Sequence, residues 1–232
     1  VRNCGRAVVL RQTSQGEMIT IIEHRRETSL ILTRQIPATF DGRLRVNIEN
    51  AMAAAGAALG QDVQLEYIRH ALRTFTTSFY QTPGRFNLLE VQGKRVIMDY
   101  CHNVAGLQAL IDFIKRLDAP RTLGVITMPG DRKDEDIHAF GCLAGKHFDE
   151  LIVREDTNTR GRPQGAIAAL LRDAAIEGGI DPARVSIVLD ELQSAREAVS
   201  RATRDDLVVI LVDKPAKVWD ELMTLGAAQT VA

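Results

Sequence analysis

From Lys94 onward the chain carries five short apolar runs, "RVIMDY", "TLGVITM", "ELIVRE", "VSIVLD" and "LVVILV", separated by stretches of helical character. Near-continuous apolar strands are covered on both faces, and parallel strands need a crossover that is usually a helix. The alternation therefore predicts an α/β domain with a Rossmann-like, mostly parallel sheet over 94–232. Ligands of such sheets bind beyond the carboxyl ends of the strands, where loops lead into helices. Here those loops are "DYCHN", "MPGDRKDED", "REDTNTRGRPQG", "LDE" and "VDKPAK".

The part before residue 94 has a different grammar. "RAVVLRQ" and "EMITIIEH" flank the turn signal "TSQG" and predict a hairpin, and "TSLILTRQIP" reads as a third strand stopped by Pro37. "NIENAMAAAGAALG" is alanine-rich and helical, with Gly60 placed to cap its end. In "DVQLEYIRHALRTF", Leu65, Ile68 and Leu72 recur at helical spacing behind Asp62 as the expected cap. "TTSFYQTPGRFN" is polar and carries Pro-Gly. The expected organisation is a small α+β unit over 1–81, a linker over 82–93 and the α/β domain over 94–232.

Composition removes several function classes. With 29 Lys+Arg against 30 Asp+Glu, the formal net charge of −1 offers no basic footprint for nucleic acid and no polybasic patch for a membrane surface. No apolar run approaches the roughly 18 residues of a membrane span, and the first residues lack a signal-peptide pattern. Cys4, Cys101 and Cys142 are an odd set without C-x-x-C spacing, which fits a reducing cytoplasm better than a disulfide scaffold.

Three edge loops carry candidate chemistry. Asp99, Tyr100, His102 and Asn103 stand between a strand and a helix, more polar and aromatic groups than one helix cap needs. In "MPGDRKDED", Asp131 is placed to cap a helix whose buried face holds Ile137, Phe140 and Ala144; this helix start is either an anion site or one already satisfied by Asp131, Asp134, Glu135 and Asp136. In "REDTNTRGRPQG", Glu155 and Asp156 suit a cation, and Arg160 and Arg162 suit a carboxylate or phosphate. Both signs in one loop fit a zwitterionic amino acid, or else a solvated loop whose charges pair with one another.

Two other patterns fail on inspection. "GCLAGKHF" imitates a phosphate-binding loop, but Phe140 stands where GxxxxGK[ST] needs Gly and His147 where it needs Ser or Thr. His138 and Cys142 share a helix face, yet His147 is nine residues after His138, and at about 100° per residue it faces the other way. No metal site is expected. His24 and His70 read as surface or satisfied core residues, and no strand is followed by GxGxxG.

Taken in order, "NIENAMAAAGAA", "LRTFTTSFYQTPGRFNL", "DYCHNVAG", "PGDRKDEDI" and "FDELIVREDTNTRGRPQG" resemble the end of Mur-type peptide ligases, and within them the cyanophycin synthetase group. They cover most of residues 40–170. The resemblance implies that residues before 40 are the last strands of the family's central ATPase domain, and that the region after 94 is its carboxyl-terminal domain. It departs from the family at Cys101, where a small residue is usual, and at Val104, where proline is usual. It also implies an ATP-grasp domain and a phosphate-binding loop upstream, neither visible here, so the chain reads as a fragment. The reaction implied is ATP-dependent amide formation through an acyl phosphate, adding arginine to aspartate side chains of a polyaspartate polymer, with Mg²⁺ held through the upstream part.

By the same resemblance, Asp99 would hold the ribose hydroxyls of ATP, His102 and Asn103 would line the nucleotide pocket, and Arg85 would reach the phosphates. Asp131, Arg132, Glu155, Asp156, Arg160 and Arg162 are the substrate-binding candidates, and no catalytic residue is assigned in this chain. The alternatives are another Mur-type ligase of peptidoglycan precursor synthesis, or a non-catalytic nucleotide- or polymer-binding module. The small first unit should expose apolar surface that its missing strands would cover, and a homo-oligomer contact is one way to cover it.

Overall fold

The computed structural model describes residues 5–227, so Cys4 and both chain ends named above lie outside the described residues. The chain divides between Thr77 and Ser78 into two compact units.

In the first unit, β1 (Arg6–Thr13) and β2 (Gly16–Glu23) form the expected hairpin, and β3 (Arg26–Leu32) adds antiparallel to β2. The β2–β3 turn has only two residues, His24 and Arg25, both at positive φ (47° and 68°). Two such residues match the right-handed strand twist, a task usually given to Asn-Gly. Helix α1 (Arg45–Gly60) buries Ile48, Ala51, Ala55 and Leu59, and α2 (Leu65–Thr74) buries Ile68 and Leu72. Ala51, Ala55, Leu59, Ile68 and Leu72 meet Ile19, Ile21, Leu30 and Ile31 of the sheet in one apolar core. Two expected caps are corrected. Gly60 is the last helical residue and Gln61 closes α1. Gln64, not Asp62, precedes α2; Asp62 sits at φ 55° and accepts a hydrogen bond from Arg6 at 2.9 Å.

The second unit is a three-layer α/β sandwich. The five apolar runs become β5 (Lys94–Asp99), β6 (Thr122–Ile126), β7 (Glu150–Val153), β8 (Val185–Ile187) and β9 (Leu207–Leu211), all parallel. One strand was not foreseen. Residues 87–91, read from sequence as linker, form β4 (Asn87–Val91), which pairs antiparallel with β5 across the two-residue turn Gln92–Gly93. The sheet order is β4-β5-β9-β6-β7-β8. Successive crossovers run outward from β5 to β8 and then return to β9 in the middle. With right-handed crossovers, α3 (Val104–Ile114), α4 (Asp134–His147) and α5 (Ala166–Glu177) cover one face, while α6 (Glu191–Arg201) and α7 (Pro215–Ala227) cover the other.

Strand alternation divides the core between these layers. Val96, Met98, Val125, Ile152, Val208 and Ile210 meet Ala195, Val199, Val218 and Leu222 of α6 and α7. Every loop from a parallel strand into its helix emerges at one edge, the carboxyl edge. No helix among the described residues is long and apolar enough to cross a membrane.

Candidate functional site

At the end of β5 the polar knot divides into residues that hold the loop and residues that face outward. The turn before β4 folds back on β5: Tyr100 N donates to Gly84 O at 2.8 Å, and Gly84 N to Asn87 Oδ1 at 2.6 Å. Gly84 has φ +70°, and a Cβ there would lie 3.2 Å from Pro215, so a side chain would be strained and crowded. Asp99 is 4% exposed and its Oδ2 accepts Phe86 N–H at 3.0 Å. Burial pushes its carboxyl up to about 6, opposed by the Phe86 hydrogen bond and the Arg85 charge. Asn103 is the N-cap of α3, accepting Gly106 N–H at 2.8 Å. Burial likewise pushes the Cys101 thiol up to about 12, so it is an inert packing group against Gly106.

What remains outward is Arg85, Tyr100 and His102. The Arg85 guanidinium lies 5.4 Å from the Tyr100 ring centroid, and the Tyr100 and His102 rings are 5.3 Å apart. Arg85 and Tyr100 are exposed and His102 is half-buried. Such a face can stack a planar group and pair with an anion. Asp99, expected as a direct ligand, is here first an anchor for the turn that presents Arg85.

The second cluster gathers three strands away in the sheet order, roughly 14 Å at the usual strand spacing. Glu155 is 5% exposed; its Oε2 accepts Gly165 N–H at 2.5 Å, while Oε1 is buried without a partner among the described residues. Asp156 Oδ1 accepts Asn158 N–H at 3.2 Å, so it shapes the turn. Arg162 donates to Gly130 O at 2.8 Å and Arg132 O at 2.7 Å and pairs with Asp134 at 2.6 Å. It staples the β7–α5 loop to the β6–α4 loop. Arg160 pairs with Asp131 at 2.8 Å, both exposed. Asp131 therefore does not cap α4: Lys133 is its N-cap, and the acids of its first turn are Asp134, Glu135 and Asp136. The Arg132 backbone joins the staple, and the Nε of its half-buried side chain has no partner among the described residues.

Residues the sequence reading left unassigned complete this corner. Arg154, fully buried, pairs with Asp213 at 2.9 Å and Glu191 at 3.3 Å. Beside it a cavity of about 110 Å³ is lined by the acids Glu155, Asp156, Asp190 and Glu191 together with Lys214 and Lys217. Ligand pockets of whole small molecules measure roughly 300–1,000 Å³, so this one suits a head group. Asp190, Glu191 and Lys214 belong to "LDE" and "VDKPAK", the edge loops that follow β8 and β9, and that position was their signal.

Residues 84–211 match the family model described as "Mur ligase, glutamate ligase domain", and the chain belongs to the Mur ligase family. Within it, the chain is 42% identical over 183 residues to the cyanophycin synthetase of Trichormus variabilis, a match covering 79% of this chain and 20% of that protein. It is 38% identical over 182 residues to the cyanophycin synthetase of a Synechocystis species, covering 78% and 21%. The chain thus spans about a fifth of the length of these relatives. A UDP-N-acetylmuramoyl-L-alanyl-D-glutamate–2,6-diaminopimelate ligase of Syntrophomonas wolfei is 28% identical over 188 residues, covering 81% and 36%. Among solved structures, a murein peptide ligase from Psychrobacter arcticus superposes with a TM-score of 0.63 at 16% identity, over 95% of this chain and 44% of that one. Folylpolyglutamate synthase of Mycobacterium tuberculosis complexed with ADP gives 0.60 at 21%, over 99% and 48%. These two show the shared fold.

Proposed function

We propose that the chain is the carboxyl-terminal part of an ATP-dependent amide ligase that joins arginine to the aspartate side chains of a polyaspartate backbone. The observation that carries this reading is the acid-lined cavity beyond β7 and β8. The buried Glu155 carboxylate, with one oxygen unpartnered among the described residues, lines it together with Asp156, Asp190, Lys214 and Lys217. A cationic side chain would meet the acids and an α-carboxylate the lysines. Arg162 positions the loop, and Arg160 is the arginine of the pair whose guanidinium is more open to solvent.

The Arg85, Tyr100 and His102 face fits the base and phosphates of a nucleotide, with Asp99 and Asn103 fixing the loop. ATP, when bound, supplies the phosphoryl group that activates a carboxylate. Mg²⁺ asks for a cage of oxygens, which this face of one guanidinium and two rings does not fit, so no step through Mg²⁺ is assigned to these residues. The chain alone is expected to release no phosphate from Mg-ATP with arginine and a polyaspartate primer. The ATP-grasp and phosphate-binding domains of such a protein, which acts in a reducing cytoplasm, would supply those parts.

Titrating the chain calorimetrically with L-arginine, neutral L-citrulline and diaminopimelate tests the amino-acid site. Arginine should bind at least about tenfold tighter than citrulline, the equivalent of 1.4 kcal/mol. Glu155→Gln or Asp156→Asn should remove that margin. Equal binding of arginine and citrulline overturns the reading, and preference for diaminopimelate replaces it with the peptidoglycan one.

A further inference from the structure

Helices α4 and α5 pack on glycine. A Cβ at Gly141 would lie 2.6 Å from the Ala174 Cβ, one at Gly145 would lie 1.9 Å from Ala175 O, and one at Gly178 would lie 2.3 Å from Cys142 O. The two backbones therefore approach more closely than residues with side chains allow. This approach brings Glu177, the last residue of α5, over the one-turn pair His138 and Cys142 of α4. His138 Nε2 is 2.8 Å from Glu177 Oε2. Cys142 Sγ is 3.7 Å from His138 Nδ1 and 3.8 Å from Nε2. One ligand atom from each residue lies within 4.8 Å of the other two.

With Zn–N and Zn–O near 2.1 Å and Zn–S near 2.3 Å, neighbouring ligand atoms of a tetrahedral zinc site lie roughly 3.4–3.6 Å apart. The set is within small side-chain adjustments of that geometry. His138 and Glu177 are more than half exposed, so they can make them and an ion can enter. A thiolate and a carboxylate together neutralise a divalent cation, and sulfur with imidazole selects zinc-like ions over Mg²⁺ or Ca²⁺. We propose that His138, Cys142 and Glu177 form a three-ligand site for a thiophilic divalent cation of the zinc class, with water as fourth ligand, bridging α4 and α5. The sequence showed the His–Cys pair but looked for its third ligand on the same helix, at His147. Glu177 is distant in sequence and arrives only through the glycine contact.

The test is Co²⁺ titration of the reduced chain followed by absorption, with Zn²⁺ competition. The expected result is one equivalent of Co²⁺ giving a thiolate-to-metal charge-transfer band that Zn²⁺ abolishes. Cys142→Ser should remove the band and Cys101→Ser should keep it. His138→Gln and Glu177→Gln should each weaken Co²⁺ at least tenfold, and they carry the test if Cys142→Ser fails to fold. Absence of the band, its survival in Cys142→Ser, or unchanged affinity in both His138→Gln and Glu177→Gln overturns the proposal and leaves a surface histidine–glutamate hydrogen bond beside a thiol.

Discussion

The guanidinium of Arg154 donates twice to the single carbonyl oxygen of Leu211, from Nε at 3.1 Å and Nη2 at 2.8 Å. Leu211 ends β9 and Arg154 follows β7, so the side chain reaches across β6 and ties the sheet's carboxyl edge together. Glu191, which pairs with Arg154, also accepts the N–H groups of Asp213 and Lys214, so one buried cation orders three edge loops.

Arg154→Met should therefore cost about 3–5 kcal/mol, because it strands the Glu191 and Asp213 carboxylates without their cation. Arg154→Lys should recover only part of this, since an ammonium cannot serve Leu211 O and both carboxylates in one plane. Urea denaturation of the two variants measures it. A loss under 1 kcal/mol for Arg154→Met would show that the network holds without the guanidinium.

Asp99 gives a pH-dependent prediction. Its folded pKa, about 6, lies above the ordinary aspartate value of 3.8, so the folded state holds the proton more tightly. The stabilising contribution is fully present below about pH 3.8 and lost as pH rises through about 6. At pH 8 the buried charge then costs on the order of 3 kcal/mol relative to acid. Asp99→Asn keeps an acceptor for Phe86 N–H and removes the charge. It should be more stable than the parent at pH 8, by an amount that shrinks towards pH 4. Denaturant midpoints at both pH values decide it; an equal difference at each would contradict the buried-charge account.

How much of this was legible depended on whether the signal was local. β5 to β9 were readable because strands covered on both faces are apolar throughout. β4 was not: as an edge strand it exposes Leu88 and Glu90, and only the Gln92–Gly93 turn marked it. The β2–β3 turn hid because His24 and Arg25 take positive φ where glycine or asparagine is usual. The loop after β5 was visible as a polar knot, but which of its residues face outward depends on the turn at 82–87 folding back. Arg154 looked like an ordinary loop residue because its partners Glu191, Leu211 and Asp213 lie far along the chain, the last two 57 and 59 positions away.

The glycine contact between α4 and α5 is directly testable. A methyl group at residue 145 would meet Ala175 O at 1.9 Å, and backbone cannot give way as a flexible side chain does. Gly145→Ala should destabilise the second unit by about 1–3 kcal/mol or more through overpacking, despite alanine's better helix propensity. Gly60→Ala, with open space around its Cβ, is the control and should be neutral or stabilising. Thermal melts followed by circular dichroism compare them. Equal effects at the two positions would mean that the helices separate without cost.

Val104 stands at the first position of α3, where the resemblance to Mur-type ligases leads to the expectation of proline. The backbone here is already suited to it. Asn103, the preceding residue, is extended at φ −154° and ψ 162°, the conformation a following proline demands. At the first helical position the N–H has no intrahelical acceptor, so proline forfeits no helical hydrogen bond there. Asn103 retains its cap to Gly106 N–H, which Asn103→Ala would lose at a cost of about 1 kcal/mol. Val104→Pro should therefore stabilise the chain by about 0.4–1 kcal/mol, chiefly by restricting the unfolded state. Urea midpoints for Val104→Pro, Asn103→Ala and the double variant measure this, and the two effects should offset each other in the double variant. Destabilisation by Val104→Pro would show that the Val104 N–H or its side-chain packing matters more to the loop than the backbone geometry indicates.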